Sequence, residues 1–383
     1  MVGKRAFLQQ LTSRLRLRSV ALSSTRFEGS SPPSVFIGRH NYPAVYAGPM
    51  LAQEPDSFVY DCPERWLGCF DKSQIIGFRL GLLRGKRRIR VTDVESQFAQ
   101  KLREIALSGS SLAVRAEFSR IPRGLSLSEE HQPFGPSAPL TSLETENARW
   151  QADLEKAHYD TELTAADAVV ELDQKGLEFS AIQKALSVGA FGRLRRRRLV
   201  PTRWSITATD DILARHALTE VRQSELIDEF RVYERGGLQN RFVVLLTPTP
   251  WRYEAVEAFI NVLGRRTFFF SDFEGLAGRK HYSEMGGCYY AQRAAVADFL
   301  RQRDEQAGAF VFREIYEGYT PMGVWLCREL TRAALATEPK VFETLGEALR
   351  HIDSRLALGV AAHRQNMPLL RDQGKQSSLL DFA

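Results

Sequence analysis

The densest group of residues suited to chemistry is a run of arginines just past the middle of the sequence. Arginine is charged at every physiological pH, and its planar guanidinium can bind a phosphate through two hydrogen bonds. Clustered on an ordered element, such residues predict contact with DNA phosphates. The alternative is a solvated basic surface, or arginines paired with nearby carboxylates. The six residues of this cluster are Arg193, Arg195, Arg196, Arg197, Arg198 and Arg203.

The elements that position this cluster are expected to be a turn and a strand. Pro201 is expected to end any helix, and residues 204–209 are expected to form a short strand. Asp210 and Asp211 are then expected to cap a helix that runs to about residue 222. The arginines would therefore lie on a turn or short helix that leads into an ordered strand. Three aromatic residues are considered as platforms for an exposed base, although each is more typical of a core position: Phe118, Trp204 and Tyr289.

A second segment with phosphate-binding potential lies near the start of the chain and reads SSPPSVFIGR. Small residues with free N–H groups beside an arginine can surround a phosphate. Ser30, Ser31 and Arg39 are the candidate contacts. A proline-stiffened turn with no ligand explains the same segment equally well.

The last eight residues, QSSLLDFA, have the pattern of a motif that binds the sliding clamp (PCNA). Leu379 and Phe382 would project from one face of a single helical turn into an apolar pocket. Leu380 would broaden that face, and Gln376 would form a hydrogen bond at its flank. Ala383 stands where such motifs usually carry a second aromatic residue. The alternative is a frayed tail with an incidental apolar patch.

A catalytic interpretation requires a set of metal-binding carboxylates. A nuclease with bound Mg or Mn needs several convergent acidic side chains and often a general base. Asp210, His281 and Glu284 are weak catalytic candidates, with Asp211 and Glu314 beside them. Caps and ordinary surface or core positions explain the same residues, and the sequence has no compact metal or nucleophile motif. We therefore predict no metal site.

Composition narrows the class of protein. The chain has 383 residues, enough for two domains and for a possible third, with a formal net charge of +6. The four cysteines show neither C-x-x-C spacing nor a zinc-ligand pattern, which suits buried thiols in a reducing compartment. No apolar run is long enough for a membrane span. A cytoplasmic protein with no membrane partner is expected.

The predicted fold class is mixed α+β, with a largely antiparallel sheet covered by helices and a flexible C-terminal tail. Residues 227–234 and 239–246 are adjacent strand patterns around a glycine-containing turn, which predicts a hairpin. The T-x-x-E pattern from Thr92 to Glu95 predicts a capping box that opens a helix ending near Gly109. Residues 111–119 predict a strand.

Several blocks in a fixed order resemble the archaeal Nre family of DNA repair proteins. The blocks are SSPPSVFIGR, LVPTRWSITATD, FEGLAGRKHY, GGCYYAQR, EGYTPMGVWLCREL and the terminal QSSLLDFA. The resemblance covers roughly residues 29–383 and implies a role in DNA damage repair with the sliding clamp as partner. It supplies no catalytic residues. Some family members carry a cysteine-rich, zinc-finger-like N-terminus, which residues 1–20 of this chain lack.

The resemblance also suggests how the chain is divided. We expect a basic N-terminal helix over 1–28, an N-terminal Nre domain over 29–270, a C-terminal Nre domain over 271–370 and a tail over 371–383. Three functions stay open at this point: a clamp-recruited DNA-binding repair factor, a metal-dependent nuclease that acts on repair intermediates, and a clamp adaptor that does not itself touch DNA.

Overall fold

A computed structural model describes residues 3–14, 17, 19–127 and 131–373 of the chain. The chain divides into two compact units. The first unit is Arg16–Ile212, and the second joins Met1–Leu15 to Leu213–Ala383. The helices, in chain order, are α1 (Lys4–Arg14), α2 (Lys72–Leu80), α3 (Gln97–Leu107), α4 (Ala152–Tyr159), α5 (Ala165–Gln174), α6 (Phe179–Ser187), α7 (Thr202–Val221), α8 (Gly287–Gln302), α9 (Trp325–Leu335), α10 (Leu345–Arg355), α11 (Gly359–Arg364) and α12 (Pro368–Gln373).

The strands form one six-stranded sheet in each unit and a short two-stranded sheet. They are β1 (Arg26–Ser31), β2 (Val35–Ile37), β3 (Ala44–Leu51), β4 (Leu83–Arg90), β5 (Leu112–Phe118), β6 (Ser137–Thr145), β7 (Glu225–Leu226), β8 (Phe230–Gly237), β9 (Asn240–Thr247), β10 (Tyr253–Ile260), β11 (Thr267–Glu274), β12 (Glu305–Gln306), β13 (Gly308–Ile315) and β14 (Lys340–Phe342).

The sheet of the first unit has the order β1-β5-β6-β4-β3-β2, and only the β4–β6 pair is parallel. In β5 every second residue is buried, as expected for a strand with one face on the core. β3 and β4 approach so closely that a Cβ on Gly48 would lie 1.6 Å from the carbonyl oxygen of Gly85. Glycine is therefore required at position 48, and the close approach brings the two strands under the pocket described below.

The sheet of the second unit has the order β11-β10-β13-β9-β8-β14, again with a single parallel pair, β10–β13. Every residue of β13 is buried, which is expected for a central strand covered on both faces. Helices α10 to α12 pack their apolar residues on one face of this sheet, against Val243, Phe310 and Phe312. Because side chains alternate along a strand, Arg313 lies on the opposite face, where it contacts Cys288 of α8.

Helix α1 packs on the sheet of the second unit. The ring of Phe7 lies 4.8 Å from the rings of both Phe259 and Phe268. Lys4 is buried at the same place and donates to the carboxylate of Glu257 and to the carbonyl of Met285. This apolar and charged contact explains why a basic helix near the start of the chain is ordered.

The predicted fold class is confirmed, since both large sheets are mainly antiparallel and helices cover them. The predicted hairpin is confirmed as β8 and β9, which pair from Gly237↔Asn240 to Arg231↔Leu246. Leu238 and Gln239 form its turn, and both have positive φ, as two-residue hairpin turns of this hand require. The strand predicted over 111–119 is confirmed as β5.

The strand predicted over residues 204–209 is wrong, because these residues lie in α7. Trp204 and Ser205 both donate backbone hydrogen bonds to the carbonyl of Pro201, so this proline precedes the first helical turn, a position that proline favours. Asp210 and Asp211 consequently lie inside the helix and are not its caps. Buried residues recur at helical spacing and show which face of α7 meets the core: Thr202, Ser205, Ile206, Thr209 and Asp210.

The capping box predicted at Thr92 is also wrong in position. Helix α3 begins after Ser96, whose hydroxyl accepts from the backbone N–H of Ala99.

The predicted domain boundary after residue 270 falls within β11, and the predicted domains stay a prediction. Among the described residues, no helix combines the length and apolar character needed to cross a membrane.

Candidate nucleic-acid interface

The arginine segment, defined as residues 193–198, is an ordered turn of the first unit. Leu194–Arg196 form a short 3₁₀ helix, which agrees with the predicted turn or short helix. Backbone hydrogen bonds on both sides hold the segment, from Leu194 to Thr161 and from Val200 to Ser187. Four of its guanidinium groups are exposed and make no ion pair with any described residue: Arg193, Arg195, Arg196 and Arg198.

Arg197 differs from these four because it is buried. Its guanidinium donates to the carbonyls of Gly192, His158 and Asp160, at 2.7, 2.7 and 2.9 Å. Burial lowers the pKa of Arg197, and Arg103 nearby lowers it further. The prediction placed Arg197 among the phosphate contacts, but this side chain is fully used in holding the turn, so we exclude it from the proposed contacts.

A second cationic feature of the first unit is a cavity of about 280 Å³. We call it the cationic pocket. The end of β2, the loop after it, β3, β4 and the start of α7 contribute residues to its lining. Among the described residues, no acidic side chain lines it: the lining residues are Phe36, Ile37, Gly38, Arg39, His40, Tyr46, Arg84, Lys86, His131, Pro201 and Arg203.

Arg84 is the most buried cation of this pocket. Its Nη2 donates to the carbonyl of Tyr46 at 2.8 Å, and its Nε has no hydrogen-bond partner. The guanidinium lies 4.3 Å from the ring centre of Phe36 and 5.6 Å from that of Phe134. No carboxylate of the described residues forms an ion pair with it. Burial lowers the pKa of Arg84 to about 9, so the group is still a cation at neutral pH.

The lowered pKa values of the neighbours of Arg84 indicate an excess of positive charge in the pocket. Burial lowers the pKa of His131 to about 4, with further lowering by Arg84, so the imidazole is neutral at pH 7. Burial also lowers the pKa of Lys86, and the charges of Arg84 and Arg120 add to that effect. Mutual repulsion between cations, with no neutralising carboxylate among the residues that the structure describes, is the electrostatic character of a site for an anion.

The phosphate contacts predicted near the start of the chain divide between two environments. Arg39 lines the cationic pocket. Ser30 and Ser31 are completely buried, and their hydroxyls donate to the carbonyls of Glu54 and Met50. Neither serine lines the pocket, because both lie on β1, where they help to hold the strand to its neighbours.

Of the three aromatic residues considered for base stacking, only Trp204 is exposed. Its ring lies 5.1 Å from that of Tyr42, which is equally exposed, and both rings belong to the first unit. Phe118 is buried in the first unit and Tyr289 in the second, so both serve as core residues. Sequence reasoning missed Tyr42 because its loop has no regular pattern.

Each residue considered for catalysis lies within a helix or takes part in hydrogen bonds that hold the fold. Asp210 is buried in α7, and Asp211 is half-buried beside it. Glu314 accepts hydrogen bonds from the backbone N–H groups of residues 357 and 358 and from the hydroxyl of Tyr316. The carbonyl of His281 accepts from Arg279, and the backbone N–H of Glu284 donates to Asp272.

Two groups of three potential metal ligands occur within the described ranges, and neither contains Asp210, His281 or Glu284. The first group is Glu257, Cys288 and Cys327. Its carboxylate, Glu257, already accepts hydrogen bonds from Lys4 and Arg313. Hydrogen bonding to Cys327 and burial raise the pKa of the Cys288 thiol. The second group is Cys62, Glu64 and Glu178. There, burial and the two carboxylates raise the pKa of Cys62 to about 12. All four cysteines are free thiols.

The residues predicted to bind the sliding clamp, Gln376, Leu379, Leu380 and Phe382, lie outside the described residues. The pocket residues Arg84, Lys86 and His131 were missed by sequence reasoning. For Arg84 and Lys86 the sequence signal is the alternation of apolar and basic residues in LRGKRRIR, which indicates a strand but does not show which arginine is buried.

Comparison with known proteins shows similarity along most of the chain. Residues 4–262 match the family described as archaeal Nre, N-terminal, and residues 274–382 match archaeal Nre, C-terminal. The chain is 38% identical over 362 residues to the DNA repair protein NreB of Archaeoglobus fulgidus, covering 92% of this chain and 91% of the relative. It is 34% identical over 352 residues to NreA of the same organism, with coverages of 89% and 88%. It is 31% identical over 378 residues to the DNA repair protein NreA of Haloferax volcanii, with coverages of 93% and 88%. No solved structure matches the chain significantly.

Proposed function

Because this chain belongs to the archaeal Nre family, we propose that it is a DNA repair factor that binds DNA through the arginine segment and is recruited to the sliding clamp by its last residues. The relatives named as DNA repair proteins support the biological role. The exposed charges of the first unit support the mode of binding, and the terminal sequence supports the partner.

One observation carries the DNA-binding proposal. The arginine segment presents four exposed guanidinium groups that form no ion pair with a described carboxylate, and the buried Arg197 holds the turn that carries them. A surface that is ordered before binding loses less conformational entropy when it binds. Unpaired arginines also have no intramolecular ion pair to break. The segment is therefore suited to contact several successive phosphates without reading the bases.

The clamp proposal depends on Gln376, Leu379, Leu380 and Phe382. An aliphatic residue and an aromatic residue three positions apart share one face of a short helix, which is the geometry of helix-in-groove recognition. A peptide of this length must lose conformational freedom when it binds. Its affinity alone should therefore be modest, on the order of micromolar, or about −8 kcal/mol.

The two other functions receive less support. A metal-dependent nuclease with Mg or Mn needs gathered carboxylates. In the described part of the chain, each of Asp210, His281 and Glu284 instead lies outside the groups that could hold a metal ion. A clamp adaptor that does not bind DNA remains the alternative that the experiment below separates. The free thiols suit a reducing compartment, and we place the protein in the cytoplasm.

The test replaces Arg195 and Arg196 together by alanine and measures DNA affinity across a salt series. Duplex affinity should fall about equally for unrelated sequences, and the slope of log K against log salt should decrease by about 2, since each lost phosphate contact releases about one counterion fewer. The matched control is the double change Arg265→Ala and Arg266→Ala, which removes the same charge from exposed positions before β11. Equal affinity and slope in the two double variants would reject the arginine segment as the contact, and the absence of salt-dependent duplex binding by the wild-type chain would support the adaptor instead.

A further inference from the structure

Arg84 and Arg197 are buried arginines for which no described carboxylate forms an ion pair, but Arg197 donates to three carbonyls whereas Arg84 donates to one. Four other buried arginines each have an acidic partner in contact: Arg79 with Asp61, Arg103 with Glu95, Arg293 with Glu274, and Arg313 with Glu257. Arg84 has one carbonyl, two aromatic rings and an Nε without a hydrogen-bond partner. A buried, unpaired charge destabilises a fold, so its occurrence at the bottom of a cavity indicates a site for an anion.

The shape of the cationic pocket selects among anions. Its volume of about 280 Å³ is that of a small-molecule site. A phosphodiester inside a duplex is flanked by sugars on both sides and would contact only a rim. A phosphate at the end of a strand, or on a free nucleotide, carries a charge close to −2 and can enter end-on. A Cβ at Gly38 would lie 3.0 Å from the carbonyl oxygen of Tyr46 and 3.5 Å from Nη2 of Arg84, so glycine at this position leaves the wall open.

Two exposed aromatic residues, Tyr42 and Trp204, belong to segments that line this pocket, although neither residue is itself part of the lining. Tyr42 follows His40 in the loop after β2, and Trp204 follows Arg203 at the start of α7. The two rings lie against each other, and each is 44% exposed. Exposed aromatic rings near a cationic groove are the usual platform on which single-stranded bases stack.

We propose that the cationic pocket binds the terminal phosphate of a nucleotide, with Arg84 as its buried anchor and the Tyr42–Trp204 pair as a platform for the base. The shared chemistry is a phosphomonoester, and its source is either a phosphorylated end of a DNA strand or a free nucleoside monophosphate. Where the source is DNA, the inference rests on the proposed DNA-binding function. The arginine segment then holds the strand, and the pocket holds its end.

The residues of the pocket have distinct parts in this binding. The guanidinium of Arg84 supplies the buried positive charge, and its Nη2 keeps the bond to Tyr46 that orients the group. The half-buried Lys86 and Arg39 donate hydrogen bonds to phosphate oxygens. Lys86 and Arg39 at the sides neutralise the rest of the charge. Charge-assisted hydrogen bonds of this kind are about twice as strong as neutral ones, so removing the phosphate should be measurable.

The experiment uses the full chain and fluorescence anisotropy with single-stranded oligonucleotides of one sequence. One oligonucleotide has hydroxyl groups at both ends, one has a 5′-phosphate and one has a 3′-phosphate. A phosphorylated end should raise affinity about tenfold, the effect of one charge-assisted hydrogen bond. In separate arms, dAMP and inorganic phosphate compete with the oligonucleotides, and the melting temperature is recorded with each. A saturable rise in melting temperature with dAMP, without any gain from strand phosphorylation, would assign the site to a free nucleotide.

Arg84→Met keeps the length of the side chain without its charge and should bind phosphorylated and hydroxyl-ended strands equally. Arg87→Met is the control, because Arg87 is an exposed arginine of β4 whose side chain lies on the other face of the strand. This variant should keep the preference for phosphorylated ends. If Arg84→Met does not fold, Lys86→Met, at a half-buried position of the pocket, takes its place and should also bind both kinds of strand equally. Wild-type binding of the hydroxyl-ended strand tests the arginine segment independently. Equal affinity for all three ends with no effect of dAMP would overturn the pocket proposal, and so would a preference that survives in both pocket variants.

Discussion

At the scale of single residues, two arginines two positions apart have opposite roles. Arg195 is exposed, whereas Arg197 is buried and its guanidinium bonds three carbonyls. Arg197→Ala would leave those carbonyls without donors, so the free energy of unfolding should fall by about 3 kcal/mol. Arg195→Ala should leave stability unchanged and weaken DNA binding. Urea denaturation of both variants checks this, and equal stability of the two would contradict the assigned roles.

His131 makes a prediction about pH. Its pKa in the folded protein is about 4, below the ordinary value of 6.5, because of burial and neighbouring cations. Between these values the unfolded chain binds the proton more readily, so stability should fall as the pH drops from about 6.5 to about 4, by up to about 3 kcal/mol. His131→Gln should show a smaller loss over the same interval. Denaturation at a series of pH values compares them, and parallel curves would reject the assignment.

At the scale of elements, α1 is held to the second unit by a buried ion pair as well as by Phe7. Glu257 accepts from both Lys4 and Arg313, and its pKa is lowered by those two cations despite burial. Lys4→Met would leave this carboxylate with one cation fewer and should cost about 3 kcal/mol of unfolding free energy. Gln9→Met, on the exposed side of α1, is the control. Thermal unfolding of both variants provides the test, and a variant at Lys4 as stable as the control would show that the ion pair is not needed.

At the scale of the whole molecule, the proposal assigns DNA binding and clamp binding to separate parts of the chain. Phe382→Ala should weaken binding to the purified sliding clamp by about 2 kcal/mol or more, because an aromatic anchor carries much of the energy of a short peptide. The same change should leave the melting temperature and DNA binding nearly unaltered. Calorimetry decides this, together with a variant that ends at Lys375. Equal clamp binding by the intact chain and by that variant would show that the terminal sequence only resembles the motif.

Much of the fold was predictable because its signals are local. The β8–β9 hairpin is encoded by two apolar runs around a short turn, and β5 by alternation of buried and exposed residues. Residues 204–209 show where such signals fail. Their β-branched and aromatic side chains favour a strand, but packing one face of α7 against the core outweighs that weak preference.

The arginine segment and the terminal motif could be found from sequence alone, because charge density and residue spacing along the chain are visible there. Burial is not visible, and it alone separates Arg197 from its exposed neighbours and Arg84 from the arginines paired with carboxylates. The cationic pocket joins β2, β3, β4, the residue His131 and the start of α7, which are far apart in the chain. Only the pairing of β3 with β4 and the placement of the start of α7 bring its cations together, since such long-range contacts exist only in the folded chain.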